Sequence, residues 1–335
     1  MTRATLLSTL PMPDDWFASV ADALPDVEIV RHRPGDDLAE GVLERTTMLH
    51  TAAWFPAAAT MPALRCVQLD TSGVDHVQRT DLWGTSIPIA TIGGIAPVPM
   101  AEYAMMALLE LSHRIPLIQQ LRSDRAWPPP EERLRTLTPR PIAGAHLSII
   151  GYGRIGREIS RLAQAFGMTV TGVRRSTTST TAEQYDSGRL AADVDTTEVV
   201  GIDQLHEVLR RTDALVVVVP KTELTAGLLS GPELDLLPHG ALVINIARGG
   251  IVDEPALLER LRDGRIGGAA LDVFDTEPLP ADAAWWSEPG VLVTPHVAGL
   301  APQYHAQTLE LVIENLRRLL DGRPLLNEVD RVAGY

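Results

Sequence analysis

Short apolar runs recur along the chain, and between them lie stretches whose apolar positions return every three or four residues. The short runs predict strands and the periodic stretches predict helices. In the first part the strands fall at Ala4–Leu10, Val27–Arg31, Met48–Thr51, Leu64–Leu69 and Pro88–Ile92. Asp14–Leu24 is amphipathic, with Asp14 or Asp15 as its cap. Strands that alternate with helices predict a parallel, doubly wound sheet. The turn Thr71-Ser72-Gly73-Val74-Asp75 directly follows a strand, where such sheets meet their ligands.

The pattern repeats further on. A helix over Ala101–Arg114 follows the stiff Pro97-Val98-Pro99. Strands are predicted at His146–Ile150, Met168–Val173, Ala214–Val219, Ala241–Ile246, Gly268–Leu271 and Val291–Thr294. Pro232–Leu237 and Glu254–Asp263 are helices between strands, and the polar Thr177–Thr197 reads as loop and connecting helix. The last helix, Pro302–Leu320, stops at Asp321-Gly322. Trp127, Pro128, Pro129, Pro130, Pro139 and Pro141 crowd one stretch, which reads as a non-helical linker or surface arm.

One segment carries a specific signal. The strand His146–Ile150 runs into Gly151-Tyr152-Gly153-Arg154-Ile155-Gly156, then a helical run, then a second strand. That order is a dinucleotide-binding βαβ unit. Gly151 permits the tight turn, Gly153 lets backbone approach a pyrophosphate, and Gly156 lets the helix pack on the strand. The helix start, with Arg154 and Ile155, offers N–H groups and a positive dipole end to phosphates.

Composition narrows the partners. At 335 residues the chain is long for one core and implies two domains. Net charge is −14, which argues against nucleic acid or an anionic membrane surface. The single cysteine, Cys66, rules out an intrachain disulfide and a cysteine-built metal site, and points to a reducing, cytoplasmic setting. No metal site is expected. No apolar run is long enough to span a bilayer.

Candidate chemistry sits after the later strands. Arg248, in Asn245-Ile246-Ala247-Arg248-Gly249-Gly250, suits a planar carboxylate. Leu271-Asp272-Val273-Phe274-Asp275-Thr276-Glu277-Pro278 brings three acidic side chains, and Val293-Thr294-Pro295-His296-Val297-Ala298-Gly299 brings a histidine.

With these motifs in that order, the chain resembles the D-isomer-specific 2-hydroxyacid dehydrogenases from end to end, most strongly from Gly151 to Gly299. The resemblance implies an α/β protein of two doubly wound parallel-sheet domains with a cleft between them. A flavodoxin-like substrate domain would take residues 1–99 and 299–335, and a Rossmann cofactor domain 100–298. It implies that Arg248 binds the substrate carboxylate and carbonyl, that Glu277 partners His296, and that His296 is the acid/base. It places the amides of Ser72 and Gly73 on the substrate carboxylate, Asp272 at the nicotinamide carboxamide and Thr225 near the pyrophosphate. Pro220, Ala247, His296 and Gly299 complete the cofactor contacts. Relatives commonly dimerise through their cofactor domains, so a homodimer is expected, with the arm around Trp127 as a clasp. The chain departs from many relatives at Leu300-Ala301 and at Pro97-Val98-Pro99-Met100.

The roles are chemically coherent. Reducing a 2-oxo acid needs a hydride on C2 and a proton on its oxygen. His296 suits the proton, a carboxylate from Glu277 would favour the imidazolium, and Arg248 would stabilise the oxygen as it gains charge. The strand that should end in an acid for the ribose ends instead in Val173-Arg174-Arg175-Ser176. Two arginines and a serine suit a 2′-phosphate, so NADP(H) is expected over NAD(H), with NAD(H) still possible. Lys221, the only lysine, falls at a strand end near the adenosine side. Glyoxylate or hydroxypyruvate is the expected substrate class. A 3-phosphoglycerate dehydrogenase-like enzyme is the alternative within the family, although no basic patch is evident around Ser72 or Ile95. A non-enzymatic NAD(H)-sensing protein of the same fold is the alternative outside it.

Overall fold

The structure, a computed structural model, describes residues 4–175, 184–185 and 197–335. It divides into two compact units. Unit 1 comprises Met1–Ile95 and Ala301–Tyr335 with the described residues 184–185, and unit 2 comprises Ala96–Ser179 and Leu190–Leu300.

Unit 1 is built on β1 (Ala4–Ser8), β2 (Val27–Arg31), β3 (Met48–Thr51), β4 (Cys66–Leu69) and β5 (Ile89–Ala90). All pair in parallel, in the order β2-β1-β3-β4-β5. That is the flavodoxin-like order, with its topological switch between β1 and β3. Alternate residues face opposite layers. Leu6 and Met48 meet Trp16, Phe17 and Val20 of α1 (Asp14–Ala23), whereas Leu7, Leu49 and Val67 meet Val42 of the short α2 (Val42–Arg45).

Unit 2 opens with α3 (Pro97–Ser112), α4 (Ile115–Ser123) and α5 (Pro130–Thr136). Its strands are β6 (His146–Ile150), β7 (Thr169–Arg174), β8 (Glu198–Gly201), β9 (Ala214–Val217), β10 (Ala241–Asn245), β11 (Ile266–Leu271) and β12 (Val291–Val293). They form one parallel sheet in the order β12-β11-β10-β9-β6-β7-β8. Numbered from β6, this is the Rossmann order with one strand added, and its switch lies between β6 and β9. α3 and α6 (Arg154–Ala165) cover one face through Ala104, Leu108, Ile159 and Ala163, packed on Leu147, Ile149, Val216 and Ile244. The other face carries α7 (Leu205–Leu209), α8 (Gly231–Leu234) and α9 (Glu254–Arg262), with Leu209, Leu234 and Leu257 on Ile150, Leu215 and Val243. The last helix, α10 (Tyr304–Asp321), returns to unit 1, where Val312, Leu316 and Leu319 join the α1 layer. Among the described residues no helix is long and apolar enough to cross a membrane, and no group of side chains is arranged to hold a metal.

Two expectations need correction. The proline-rich stretch from Trp127 to Pro141 is not free of helix, since α5 lies within it, and α3 begins at Pro97 rather than Ala101. Pro97 and Pro130 fall at N1 and Pro116 of α4 at N2, where no intrahelical N–H bond is required and the fixed φ suits the helix. The polar pattern also concealed β8, where Glu198 on the edge strand accepts from the Thr171 hydroxyl of β7 at 2.9 Å. Most of the stretch read as loop and connecting helix, Thr177–Thr197, lies outside the described residues. Tyr185 is described. It packs with Ile92, Ile95 and Leu311 and donates to Glu310 at 2.6 Å.

Candidate active site

The glycine turn occupies the switch point of the larger sheet. Gly151 has φ 109°, a conformation costly for any residue with a Cβ, and a Cβ there would stand 2.5 Å from the Val218 carbonyl oxygen beyond β9. A Cβ on Gly156 would stand 2.4 Å from the Gly151 oxygen, so α6 seats against the turn only with glycine. Gly153 is different, because a Cβ there meets nothing within 4 Å. Packing within the unit therefore does not require glycine at 153. Bare space before the first turn of α6, which carries Arg154 and Ile155, is the arrangement a pyrophosphate needs. The residues fit a dinucleotide.

The other cofactor candidates stand around the same edge of the sheet. Arg174 is half-buried at the end of β7, opposite Gly201 of β8, and Arg175 is exposed just beyond it. Ser176 lies outside the described residues. Pro220 follows β9, and its carbonyl accepts from the Thr225 hydroxyl at 2.6 Å, which closes that turn. Ala247 is buried after β10, its N–H on the Asn245 side-chain oxygen at 3.1 Å. Exposed Lys221 reaches toward Gly250, where a Cβ would stand 2.9 Å from its Nζ and 3.0 Å from Asp275 Oδ1.

His296 and Glu277, 19 residues apart, meet: Nδ1 is 2.8 Å from Glu277 Oε2. The other carboxylate oxygen of Glu277 accepts from the Phe274 N–H at 2.9 Å, which fixes its direction. His296 itself has φ 55°, the left-handed region that β-carbon residues enter at a cost of roughly 1 kcal/mol. Asp272 holds it there. The His296 N–H donates to the Asp272 carbonyl at 2.9 Å, while the Asp272 carboxylate accepts from Val297 N–H at 2.8 Å, Ala298 N–H at 2.9 Å and the Thr294 hydroxyl at 2.6 Å. That carboxylate is 2% exposed. With Nδ1 committed to Glu277, Nε2 is the nitrogen left to exchange a proton, on an imidazole 45% exposed. Gly299 closes this turn against Ala96 and Met100, and Leu300 beyond it is 69% exposed.

Arg248 follows β10 and is half-buried. Its Nη1 donates to the Ala247 carbonyl at 2.7 Å, and its own carbonyl accepts from Asn245 Nδ2 at 3.4 Å. In unit 1, Ser72 is exposed at the tip of the turn after β4, and Gly73 follows half-buried, its carbonyl held by the Thr71 hydroxyl at 2.8 Å.

Several residues that shape this site were not singled out from the sequence. Tyr103 of α3 lies 2.5 Å from the Thr294 hydroxyl and extends the Asp272 chain, and burial pushes its phenol up to about 12. Glu254, first in α9, accepts from Asp275 N–H at 2.5 Å and Trp285 Nε1 at 3.0 Å. It braces the loop that carries Glu277. Burial pushes its carboxyl up, and those two hydrogen bonds oppose the shift. Asp253-Glu254 reads in sequence only as a helix start, because its tertiary partners lie 21 and 31 residues away.

Comparison with known proteins points the same way. Residues 105–298, more than half of the chain, match the family model for the D-isomer specific 2-hydroxyacid dehydrogenase NAD-binding domain. Glyoxylate/hydroxypyruvate reductase A of Salmonella newport is 29% identical over 329 residues, 96% of each chain. A D-isomer specific 2-hydroxyacid dehydrogenase from Xanthobacter autotrophicus, solved with NADPH and MES, superposes with TM-score 0.82 at 29% identity over 100% of both chains. An NADPH-dependent glyoxylate/hydroxypyruvate reductase from Sinorhizobium meliloti, solved with NADP and sulfate, gives TM-score 0.78 at 27% identity, covering 99% of this chain and 100% of its own. With the glycine turn at one switch point and a histidine–carboxylate pair on the same sheet, the chain belongs to the D-isomer-specific 2-hydroxyacid dehydrogenases, nicotinamide-dependent oxidoreductases acting on 2-hydroxy acids.

Proposed function

We propose that the protein is an NADP(H)-preferring reductase of small 2-oxo acids, with glyoxylate or hydroxypyruvate as substrate. The observation that carries the reaction is the 2.8 Å contact between His296 Nδ1 and Glu277, which leaves Nε2 to deliver a proton. Bound NADPH supplies the hydride for C2. His296 protonates the carbonyl oxygen as C2 is reduced, giving the 2-hydroxy acid, of (R) configuration from hydroxypyruvate, and takes the proton back in the reverse direction. Arg248 stabilises the negative charge that develops on that oxygen. The Ser72 and Gly73 amides hold the carboxylate. Asp272 contributes to the nicotinamide carboxamide contact, and Pro220, Thr225, Ala247 and Gly299 line the cofactor site with Gly151, Gly153, Arg154, Ile155 and Gly156.

Cofactor preference rests on Arg174 and Arg175 at the end of β7, with Ser176 next in sequence. A 2′-phosphate adds charge near neutral pH that an arginine meets with charge-assisted bonds, each contributing roughly 1.5–3 kcal/mol. One such bond gives about a tenfold preference or more. The NADPH and NADP bound in the Xanthobacter and Sinorhizobium relatives support this choice. We also propose a homodimer through the cofactor domain. Trp127, 85% exposed with Arg133 over its ring at 5.7 Å, offers the apolar clasp, and sedimentation at micromolar concentration tests it.

Following NADPH and NADH oxidation with glyoxylate, hydroxypyruvate and 3-phosphohydroxypyruvate tests the assignment. Turnover of the first two with a higher kcat/KM for NADPH is expected. Equal efficiency with both cofactors overturns the preference, turnover of the phosphorylated acid alone makes the substrate phosphorylated, and no turnover overturns the reaction.

A further inference from the structure

Parallel sheets bind ligands beyond strand ends at their switch point. In unit 1 that point, between β1 and β3, is filled by side chains. Ser8 ends β1 and His50 lies beside it in register on β3. Both are buried, His50 completely, and Ser8 Oγ lies 3.1 Å from His50 Nδ1. The Trp16 ring stacks on the imidazole, with centroids 5.4 Å apart and planes 11° apart. On the other side His50 Nε2 faces Asp70 Oδ1 at 3.8 Å. Neither of those two buried atoms meets another hydrogen-bond partner among the described residues.

The serine, histidine and aspartate line up as in a hydrolase, but Ser8 is 1% exposed, so no substrate reaches it. Asp70 explains the arrangement better. It is the first residue after β4 and opens the turn Thr71-Ser72-Gly73. Its N–H is held by the Thr51 carbonyl at 2.9 Å, and its carbonyl by the Tyr304 hydroxyl at 3.0 Å. Asp70 therefore places a carboxylate, nine-tenths buried, at the root of the turn assigned above to the substrate carboxylate. An uncompensated negative charge there would repel an anionic substrate. A proton on each nitrogen of His50 lets Nδ1 donate to Ser8 Oγ and sets a positive charge 3.8 Å from Asp70 Oδ1, and the stacked tryptophan face favours that cation.

We infer that His50 is a positioning residue that neutralises Asp70, keeping the Ser72–Gly73 turn receptive to a carboxylate. The inference rests on the reading of that turn given above. His50→Gln should raise KM for glyoxylate, and Kd for the unreactive 2-oxo acid oxamate on the NADPH complex, by roughly tenfold, the effect of unscreening a charge within two residues. kcat and Kd for NADPH should not move. Asp70→Asn keeps the side-chain shape and removes the charge, so it should leave oxamate Kd unchanged or lower it, and the double variant should recover the unmutated value. A pair that only holds the fold predicts the opposite, a weakened site in Asp70→Asn. That result, or His50→Gln with unchanged KM and Kd, overturns the inference while glyoxylate turnover by the unmutated protein sustains the proposed function. An unmutated protein that neither reduces glyoxylate nor binds oxamate overturns both. If His50→Gln does not fold, the sign of the Asp70→Asn effect decides alone.

Discussion

Gly249 sits between Arg248 and the loop that carries Glu277, and its substitution by alanine is the sharpest test of how the site is assembled. A Cβ at 249 would stand 2.0 Å from the Phe274 oxygen, 2.1 Å from the Phe274 carbonyl carbon and 2.5 Å from Asp275 N. Nonbonded carbon contacts settle near about 3.5 Å, so the two backbones must part by roughly 1.5 Å. The loop cannot yield freely, because Asp275 N–H is held by Glu254 and Phe274 N–H by Glu277. Overpacking of this kind costs about 1–3 kcal/mol, which lowers the melting midpoint of a unit this size by roughly 2–12 °C. A comparable displacement of Glu277 stretches its 2.8 Å contact with His296 beyond hydrogen-bonding reach. Misplacement by about 1 Å costs on the order of a hundredfold in turnover. The assay is kcat with glyoxylate and NADPH beside a thermal melt of the cofactor-free protein. Gly249→Ala should lose both activity and stability. A variant that matches the unmutated protein in both would refute the steric reasoning.

Four further outcomes are expected. His296→Gln should cut kcat by roughly 10²–10⁴ with little change in NADPH affinity by fluorescence titration, and a near-normal kcat would remove it as the proton donor. Gly153→Ala should leave the melting midpoint of the cofactor-free protein in place but weaken NADPH binding, since its Cβ meets only the space assigned to the pyrophosphate; unchanged binding by calorimetry would place the cofactor elsewhere. Asp272→Asn should destabilise the His296 turn by about 1–3 kcal/mol in denaturant melts, because an amide cannot accept at both oxygens from three donors and one buried N–H is left unpaired. Arg174→Asp should reverse or abolish the preference for NADPH in kcat/KM, and an unaltered ratio would free that residue of the role.

The order of apolar runs was sufficient to read two parallel, doubly wound sheets, because period-2 and period-3.6 patterns act locally. The glycine turn was legible for the same reason: a strand, a sharp turn and a helix start are neighbours in the chain. Arg248, Glu277 and His296 stood out as side chains just after strands, but their joint roles came only through family motifs. Nothing local reveals that the Glu277 carboxylate lies against His296, which requires β11 and β12 to pair. Helix starts at Pro97 and Pro130 were misread because proline is a breaker in the interior yet favourable at the first positions, a distinction of register. Tyr103, Glu254 and Trp285 look ordinary in sequence, since their partners lie 21 to 191 residues away. The buried line of Ser8, His50 and Asp70 is the extreme case: three strand ends distant in the chain become adjacent only when β1, β3 and β4 align. Local chemistry determined which elements form. Only the tertiary pairing of strands decided which polar groups lost water together, and so which had to satisfy or neutralise one another.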